Sequence, residues 1–333
     1  MNYKLCIVGE AWGAEEEAAG LPFVGASGRF LNAVLAQVGI RRDECYVTNV
    51  FNLRPPGNNI EHLCGPKSEA LRNFPPLKGK WVRAQYQPEL DRLFKEINDV
   101  KPNLILALGA TAAWAILRSP NIGKTRGTTA AGYGGYKVLS TYHPAAVLRD
   151  FSLRPIFYAD LNKVKTEQAF PEIRRPRREI WVEPTLADLG GFYEKYIVPS
   201  PDLSIDIETV GDQVTCIGFA PSTDRALVVP FFDYRKPDVN YWPDAAHEVA
   251  AWQWVKRVCA LDKNIVGQNF LYDMHFLWRR CGIPVLHARD DTMLLHHALQ
   301  PEMEKGLGFL GSIYCSEPSW KIMRKETTIK RGD

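Results

Sequence analysis

Short apolar runs alternate with helical patterns through the first half of this chain, and this alternation is the strongest constraint on its fold. Strands are predicted at residues 5–8, 45–50, 103–108 and 137–140, with helices between them. Such alternation is typical of a parallel α/β sheet, in which ligands gather at the carboxyl ends of the strands. Glu10, Asn49 and His143 each lie at or just past such an end. The sequence therefore predicts one crevice where three polar side chains converge.

Length and composition favour two globular domains. A chain of 333 residues exceeds one ordinary core, and 46% hydrophobic with 24% charged residues is typical of soluble globular proteins. The net charge of +3 permits a nucleic-acid partner without requiring one. Seven cysteines without a paired framework favour a reducing compartment. No stretch approaches the roughly 20 apolar residues of a membrane span, and the N-terminus lacks a signal-peptide pattern. We expect a cytoplasmic protein of a phage or a bacterial host.

Five ordered motifs carry a resemblance to a known family. They are GEAWG (9–13), GLPFVG (20–25), TNVFNLRPP (48–56), LGATAA (108–113) and TYHPAAVLR (141–149). In this order and spacing they resemble the uracil-DNA glycosylase superfamily, nearest its family-4-like branch in bacteria and phages. The resemblance covers about residues 1–165. It implies a parallel-sheet α/β/α domain that flips uracil out of DNA and hydrolyses its N-glycosidic bond.

The resemblance also implies roles for individual residues. Phe23 would stack on the uracil ring, and Asn49 would hydrogen-bond the pyrimidine edge and reject cytosine. His143 would donate to uracil O2 as negative charge develops on the leaving base. Glu10 would position water or stabilise the cationic sugar. The loop that enters the vacated space in the DNA would be formed by Val147, Leu148 and Arg149.

Each of these residues also has a structural explanation when taken alone. A phenylalanine after a proline, such as Phe23, is usually a core residue. Asn49 could cap a turn, and His143, before a proline, could be a satisfied loop residue. Only the joint occurrence of the residues in motif order favours the functional interpretation.

Two departures from the family pattern stand out. Trp12 replaces the more common proline of the first motif, which alters how a DNA backbone would meet this loop. The family-4 enzymes hold an iron–sulfur cluster with four cysteines, one pair of them ahead of the first strand, and no such pair precedes Cys6. Leu53 occupies a usual cysteine position, and only Cys64 resembles a retained ligand. Because the cluster needs four thiolates, we expect no iron–sulfur cluster.

A basic segment joins the two halves of the chain. Residues 166–179 contain two prolines and four arginines: Arg174, Arg175, Arg177 and Arg178. A solvated linker is the expected role, and salt-dependent contact with DNA phosphates is the alternative. The predicted organisation is a first domain at 1–165, a linker at 166–177 and a second domain at 178–333.

The second half is arranged around SIDIET, residues 204–209. Asp206 and Glu208 lie two positions apart in a predicted strand, so both side chains project from one face. Two like charges on one buried face are costly unless a cation neutralises them, which favours a hard divalent metal. Two solvated acids at a strand end are an equally good explanation of these six residues alone.

SIDIET, VGQNFLYD (266–273) and DDTMLLHHALQPEMEKGLGFL (290–310) together resemble the DnaQ-like 3′–5′ proofreading exonuclease domain of family A DNA polymerases, particularly those of phages. The resemblance implies an RNase H-like mixed sheet. It also implies that Asp206, Glu208 and Asp273 ligate two Mg²⁺ or Mn²⁺ ions. Gln268 and Asn269 would hold the terminal nucleotides, and Asp291 would support the site.

The third motif of that exonuclease family is missing. Its tyrosine is followed four residues later by a metal-binding aspartate, whereas Tyr314 is followed at that spacing by Pro318. The polar run that ends at Asp333 favours the front part of a longer polymerase over a binding remnant. We therefore expect weak or no 3′–5′ degradation by these 333 residues, even with Mn²⁺.

Two functions from different classes follow from these patterns. The leading hypothesis is an enzyme that excises uracil from DNA, fused to an incomplete exonuclease domain. The alternative is a non-catalytic front end of a DNA polymerase, in which both domains bind DNA and the glycosylase pocket senses uracil without excising it. Turnover of uracil-containing DNA distinguishes the two.

Overall fold

The computed structural model describes residues 3–315 and 317. The chain divides into two compact units. The first comprises Met1–Arg174 together with Gly308–Asp333, and the second comprises Arg175–Leu307.

The first unit is an α/β domain. Its strands are β1 (Leu5–Ala11), β2 (Cys45–Phe51), β3 (Cys64–Gly65), β4 (Trp81–Val82), β5 (Leu104–Leu108), β6 (Thr129–Ala131) and β7 (Lys137–Thr141). Its helices are α1 (Ala14–Ala19), α2 (Ala26–Gln37), α3 (Gln87–Val100), α4 (Ala110–Leu117), α5 (Ile122–Thr125), α6 (Pro144–Arg149) and α7 (Arg154–Glu167). These helices and strands confirm the predicted strand–helix alternation.

A five-stranded sheet in the order β2-β1-β5-β7-β6 forms the centre of this unit. The first four strands are parallel, and β6 runs antiparallel to β7. All five residues of β5 and of β7 are buried, as expected for strands that are covered on both faces. Because the four parallel strands end at the same edge, the segments after β1, β2 and β7 meet there.

One face of α2 is apolar and packs in the core. Leu31, Val34 and Leu35 are buried in α2, and Val38, its C-cap residue, is buried as well. Gly39 follows with a φ of +76°, a conformation that glycine adopts without steric cost and that ends the helix.

A buried ion pair stabilises the first unit near the end of β7. Arg126 Nη2 lies 2.5 Å from Asp160 Oδ1, and Thr141 Oγ1 donates to Asp160 Oδ2 at 2.6 Å. Arg126 Nη1 also donates to Ser312 Oγ at 2.9 Å. The guanidinium and the carboxylate are both removed from water, so each depends on the other for compensation of its charge.

We predict that Arg126→Met destabilises the first unit by roughly 3–5 kcal/mol, because it leaves the Asp160 carboxylate buried and uncompensated. Urea unfolding measures the loss, and hydrogen exchange of the α7 amides locates it. The matched control is Arg41→Met, since Arg41 pairs with Asp43 on the surface and should cost less than about 1 kcal/mol. Equal effects of the two substitutions would contradict the prediction.

The second unit contains a six-stranded sheet. Its strands are β8 (Glu179–Trp181), β9 (Asp202–Val210), β10 (Gln213–Ser222), β11 (Arg225–Pro230), β12 (Asn264–Gly267) and β13 (Ala288–Asp291). Its helices are α8 (Leu186–Phe192), α9 (Ala245–Cys259), α10 (Leu271–Cys281) and α11 (Thr292–Leu299). A short helix α12 (Leu307–Leu310) and a π-helical turn (Gly311–Cys315) follow.

The sheet of the second unit is mixed and has the strand order β13-β12-β9-β10-β11-β8. β9, β10 and β11 form an antiparallel meander, whereas β12 and β13 run parallel to β9. If β8 is left out and β9 to β13 are numbered 1 to 5, the order of the strands across the sheet is 3-2-1-4-5. Strand 2 (β10) is antiparallel to the other four. This topology confirms the RNase H-like fold class predicted from the sequence.

The division between the units lies within the predicted linker, between Arg174 and Arg175. Residues from Gly308 onward group with the first unit, so the second unit ends earlier than the predicted domain at 178–333. Pro318, on which the missing exonuclease motif depends, lies outside the described residues. Within residues 3–315 and 317, no helix combines the length and apolar character that crossing a bilayer requires.

Candidate active site and the family of the chain

The three predicted polar residues lie together at the carboxyl edge of the first sheet. Glu10 is near the end of β1, Asn49 is in β2, and His143 follows β7 as the N-cap residue of α6. Gly9 pairs with Asn49 in the β1–β2 register. The parallel topology therefore brings the three residues to one edge of the sheet, where the sequence predicted a crevice.

Phe23 forms one wall of this crevice in an unusual conformation. Its φ is +57°, a left-handed backbone conformation that is rare for a bulky residue and costs on the order of 1–3 kcal/mol. Its ring lies 5.9 Å from the His143 ring, centroid to centroid, at an interplanar angle of 26°. A Cβ on Gly9 would lie 2.5 Å from Phe23 Cζ, and a Cβ on Gly28 would lie 1.9 Å from Phe23 O. Only glycine fits at these two positions.

Buried polar contacts hold the loop that carries Phe23. Glu16 Oε1 accepts hydrogen bonds from the amides of Val24 (3.1 Å) and Gly25 (2.8 Å), and Glu16 Oε2 accepts one from Gly13 (3.1 Å). Arg42 Nη2 donates to Pro22 O at 3.0 Å. The loop is thus fixed on both sides of Phe23, and this fixation sustains the strained conformation.

Asn49 presents a polar group with unused hydrogen-bonding capacity. The residue is 2% exposed, and its side-chain Nδ2 has no hydrogen-bond partner in the part of the chain that the structure describes. A buried amide without a partner costs about 1–3 kcal/mol. Arg92 Nη2 donates to Asn49 O at 2.9 Å and to Val50 O at 3.1 Å, which anchors this end of β2. The amide is therefore held in a position that suits an acceptor from a ligand.

His143 is held in one tautomer. Its Nδ1 accepts a hydrogen bond from the Ala145 amide at 3.2 Å, so in the neutral ring the proton is on Nε2. Burial lowers the pKa of His143 below its usual value; the Glu10 charge raises it, and the Arg149 charge lowers it further. The ring is thus a neutral donor near pH 7.

Thr111 orients the carboxylate of Glu10. Thr111 is fully buried in α4, and its hydroxyl donates a short hydrogen bond to Glu10 Oε2. The Glu10 charge also acts on the His143 ring. Sequence analysis missed the roles of Thr111, Glu16 and Arg92, although Thr111 belongs to the LGATAA motif.

We predict that Glu10→Gln lowers the pKa of His143 further, since it removes the negative charge that favours the imidazolium. NMR titration of the His143 ring measures this shift. Glu15→Gln is the matched control, because Glu15 is exposed and pairs with Arg29. A rise in the His143 pKa on Glu10→Gln would contradict the electrostatic assignment.

The same shift has a consequence for stability. Because the folded-state pKa of His143 lies below the usual histidine pKa of 6.5, the unfolded chain binds more protons as the pH falls through that value. The contribution of His143 to stability is therefore present above pH 6.5 and is lost as the pH falls through the folded-state pKa.

The predicted DNA-entering loop is in part a helix. Val147 is 1% exposed and packs in the core, so the prediction that it enters DNA is wrong: the inner face of α6 must pack on the sheet. Leu148 (38% exposed) and Arg149 lie at the surface. Phe151, which follows directly, is 67% exposed and was not singled out from the sequence.

Trp12 has a contact that the family's usual proline could not make. Its backbone N–H donates to Leu53 O at 3.1 Å and links the first loop to the NLRPP loop. A proline has no such donor. The substitution therefore adds a hydrogen bond beside the site.

The described cysteines do not fit an iron–sulfur cluster. Cys6 and Cys64 are buried in one apolar cluster, against which Leu53 also packs. Burial raises the pKa of both thiols, which disfavours the thiolate that an iron ligand must be. No chemical step is assigned to a cluster.

In the second unit, Asp206 and Glu208 share one face of β9, as the two-residue spacing predicted. That face is the exposed one, since Leu203, Ile205 and Ile207 occupy the buried face. The inference that burial of the pair requires a cation is therefore wrong. Their expected metal ligation rests on the family resemblance alone.

Asp273 lies beside this pair but is bonded internally. It is 4% exposed, and its Oδ1 accepts the Ile207 amide hydrogen bond at 2.9 Å. Burial raises the pKa of Asp273 to about 6, and the charges of Asp206 and Asp291 act in the same direction. The carboxyl group is therefore protonated more readily than an ordinary aspartate.

The other predicted residues of this unit stabilise its loops. Gln268 Nε2 donates to Lys305 O at 2.8 Å, and its Oε1 accepts a short hydrogen bond from Thr292. Asp291 accepts hydrogen bonds from the amides of Asn269 (3.0 Å) and Phe270 (2.7 Å). Asn269 itself is exposed. Gln268 is thus engaged at both ends of its amide.

The described residues do not assemble a metal-ligand set. Within 3–315 and 317, no group of three or more His, Cys, Asp or Glu side chains is arranged to hold a metal ion. No chemical step is therefore assigned to Mg²⁺ or Mn²⁺, and the ligation by Asp206, Glu208 and Asp273 stays a prediction.

Comparison with known proteins agrees with the geometry of the first unit. The family model described as "Uracil DNA glycosylase superfamily" matches residues 1–170 of this chain. A type-4 uracil-DNA glycosylase of Pyrobaculum aerophilum is 36% identical over 169 residues, which cover 48% of this chain and 76% of that protein. The type-4 enzyme of Thermotoga maritima is 35% identical over 170 residues, or 50% of this chain and 78% of that protein.

Among solved structures, the exonuclease domain of Aedes aegypti Nibbler is 12% identical and covers 48% of this chain and 80% of its own, with a TM-score of 0.35. We draw nothing from a likeness of that size. The family match, in contrast, spans residues 1–170 of 333, more than half of the chain. The chain belongs to the uracil DNA glycosylase superfamily.

Proposed function

We propose that the first unit excises uracil from DNA by hydrolysis of the N-glycosidic bond. The observation that carries this proposal is the buried Asn49 amide, whose Nδ2 has no partner among the described residues, beside the Phe23 ring. The type-4 relatives bear the name of this activity over the same part of the chain.

Asn49 supplies the base specificity in this proposal. Its Nδ2 donates to uracil O4 while its Oδ1 accepts the N3–H of the base. Cytosine presents an amino donor and an unprotonated N3 at these positions, so both hydrogen bonds would be lost. A site built on paired hydrogen bonds rejects such an analogue strongly, because its own polar groups are left unsatisfied. Phe23 provides the stacking surface for the ring.

His143 and Glu10 act on opposite sides of the bond that breaks. As the bond between C1′ and N1 lengthens, negative charge develops on the base, and the Nε2–H of neutral His143 donates to uracil O2. Positive charge develops on the sugar, where the Glu10 carboxylate stabilises it and orients a water. The water oxygen bonds to C1′, and its proton balances the charge of the departing uracil.

The test is the release of uracil from a labelled oligonucleotide, followed by alkali cleavage of the abasic site. We predict turnover by the full chain and a loss of about 10²–10³-fold in kcat for His143→Ala, since a preorganised donor to the developing anion is removed. His62→Ala is the matched control, because His62 is exposed in the same unit.

Undiminished scission by His143→Ala would refute the assigned role. Retained affinity for uracil-containing DNA with no turnover by the wild-type chain would instead support the alternative function. In that case the pocket senses uracil at the front of a polymerase and does not excise it.

For the second unit we propose an exonuclease-type fold with an incomplete catalytic centre. Asp206 and Glu208 on one face of β9, with Asp273 beside them, support the relation to a proofreading exonuclease. The internal hydrogen bond of Asp273 supports the view that the site is incomplete.

We predict little or no 3′–5′ degradation of labelled single-stranded DNA by this chain with either Mg²⁺ or Mn²⁺. Gel analysis of end-labelled DNA measures it. Robust trimming that Asp206→Ala abolishes, and that Asp212→Ala leaves intact, would prove the prediction wrong. Asp212 is a suitable control since it is exposed and pairs with Arg280.

A further inference from the structure

The segment after His143 presents two apolar side chains to the surface from an anchored base. Val147 is buried and Leu153 packs against the same core cluster. Leu148 and Phe151 face outward from this short stretch. His143 is the N-cap residue of α6, so Leu148 and Phe151 follow it by only five and eight residues along the chain.

The backbone at Phe151 is fixed. Asp150 Oδ1 accepts hydrogen bonds from the Ser152 amide (3.0 Å) and the Ser152 hydroxyl (2.6 Å), and the Asp150 amide donates to Ala146 O at 2.9 Å. Asp150 has an extended backbone conformation (φ −132°, ψ 100°) and separates α6 from the short 3₁₀ helix Phe151–Leu153, and these hydrogen bonds define the backbone between the two. The aromatic side chain of Phe151 is exposed to solvent, and the backbone that carries it is fixed by hydrogen bonds. Its exposure contributes nothing to the stability of the fold.

The charges around Phe151 suit a polyanion. Arg149 is exposed on α6, and the guanidinium of Arg154 lies over the rings of Phe30 (5.9 Å) and Tyr158 (5.7 Å). The nearby carboxylate of Asp150 is engaged with Ser152 as a cap. An exposed aromatic ring with an arginine before and after it in the sequence favours a partner that combines phosphates with flat apolar groups, which is nucleic acid.

We propose that Phe151 stacks on the DNA base that loses its partner when uracil leaves the duplex. This inference rests on the proposed excision of uracil. Extraction of one base leaves its opposite base unpaired and unstacked, and an aromatic ring offers that base a new stacking surface whatever its identity. Phe151 is thereby a contact that only duplex substrate can use.

The first test compares duplex with single-stranded uracil DNA, using Phe151→Ala in the full chain. We expect kcat/KM on duplex to fall about tenfold, the scale of one lost base–aromatic stack, while kcat/KM on single-stranded DNA stays within about twofold of wild type. Phe151→Trp should retain the duplex activity, since it keeps an aromatic face. Tyr234→Ala, which removes a 68% exposed ring from the second unit, is the matched control.

The second test does not depend on catalysis. It uses duplex DNA with a tetrahydrofuran abasic analogue opposite 2-aminopurine, whose fluorescence falls when it stacks. We expect brighter emission in the Phe151→Ala complex than in the wild-type complex. Equal emission, absence of wild-type binding, or equal losses on duplex and single-stranded uracil DNA would each overturn the proposal. If wild type releases no uracil from either DNA, the proposed excision fails, while the fluorescence still decides whether Phe151 stacks on the base.

Discussion

The site of the first unit depends on the absence of a side chain at residue 9. The parallel β1–β2 pairing brings Gly9 opposite Asn49, and a Cβ at this position would lie 2.2 Å from Asn49 Oδ1 and 2.5 Å from Phe23 Cζ. The amide and the aromatic ring therefore occupy space that any other residue would fill. Phe23 reaches this space only through a left-handed backbone conformation, which the Glu16 carboxylate sustains by binding the next two amides. The crevice is thus assembled before any ligand enters.

Much of the fold follows from local sequence patterns. The apolar face of α2 can be read from the sequence because a twelve-residue helix repeats that face more than three times. The convergence of Glu10, Asn49 and His143 was equally predictable. The carboxyl ends of parallel strands lie at one edge of the sheet. Residues at these ends can therefore be predicted to lie close together even when no side-chain contact is known.

The residues that sequence analysis missed act through contacts between distant positions. Thr111 binds Glu10 across 101 residues, and Arg92 reaches Asn49 O across 43. No periodicity encodes such contacts. Val147 shows a different limit: α6 has only six residues, too few for an apolar stripe to reveal which face packs inward. In β9 the alternation predicted a shared face for Asp206 and Glu208 but not whether that face is exposed.

The predicted site residues of the two units differ in how their buried polar groups are satisfied, and this difference bears on function. In the second unit Asp273 accepts a hydrogen bond from the Ile207 amide. The side-chain amide of Gln268 forms hydrogen bonds through both its nitrogen and its oxygen. Their burial is compensated within the protein, so a ligand would have to displace contacts already made. In the first unit the Asn49 Nδ2 has no partner among the described residues, and the cost of burying it is recovered only when a ligand supplies an acceptor. Selection for stability alone would remove such a group. Its presence beside a strained aromatic ring and a neutral histidine is the reason to seek the chemistry of this chain in the first unit.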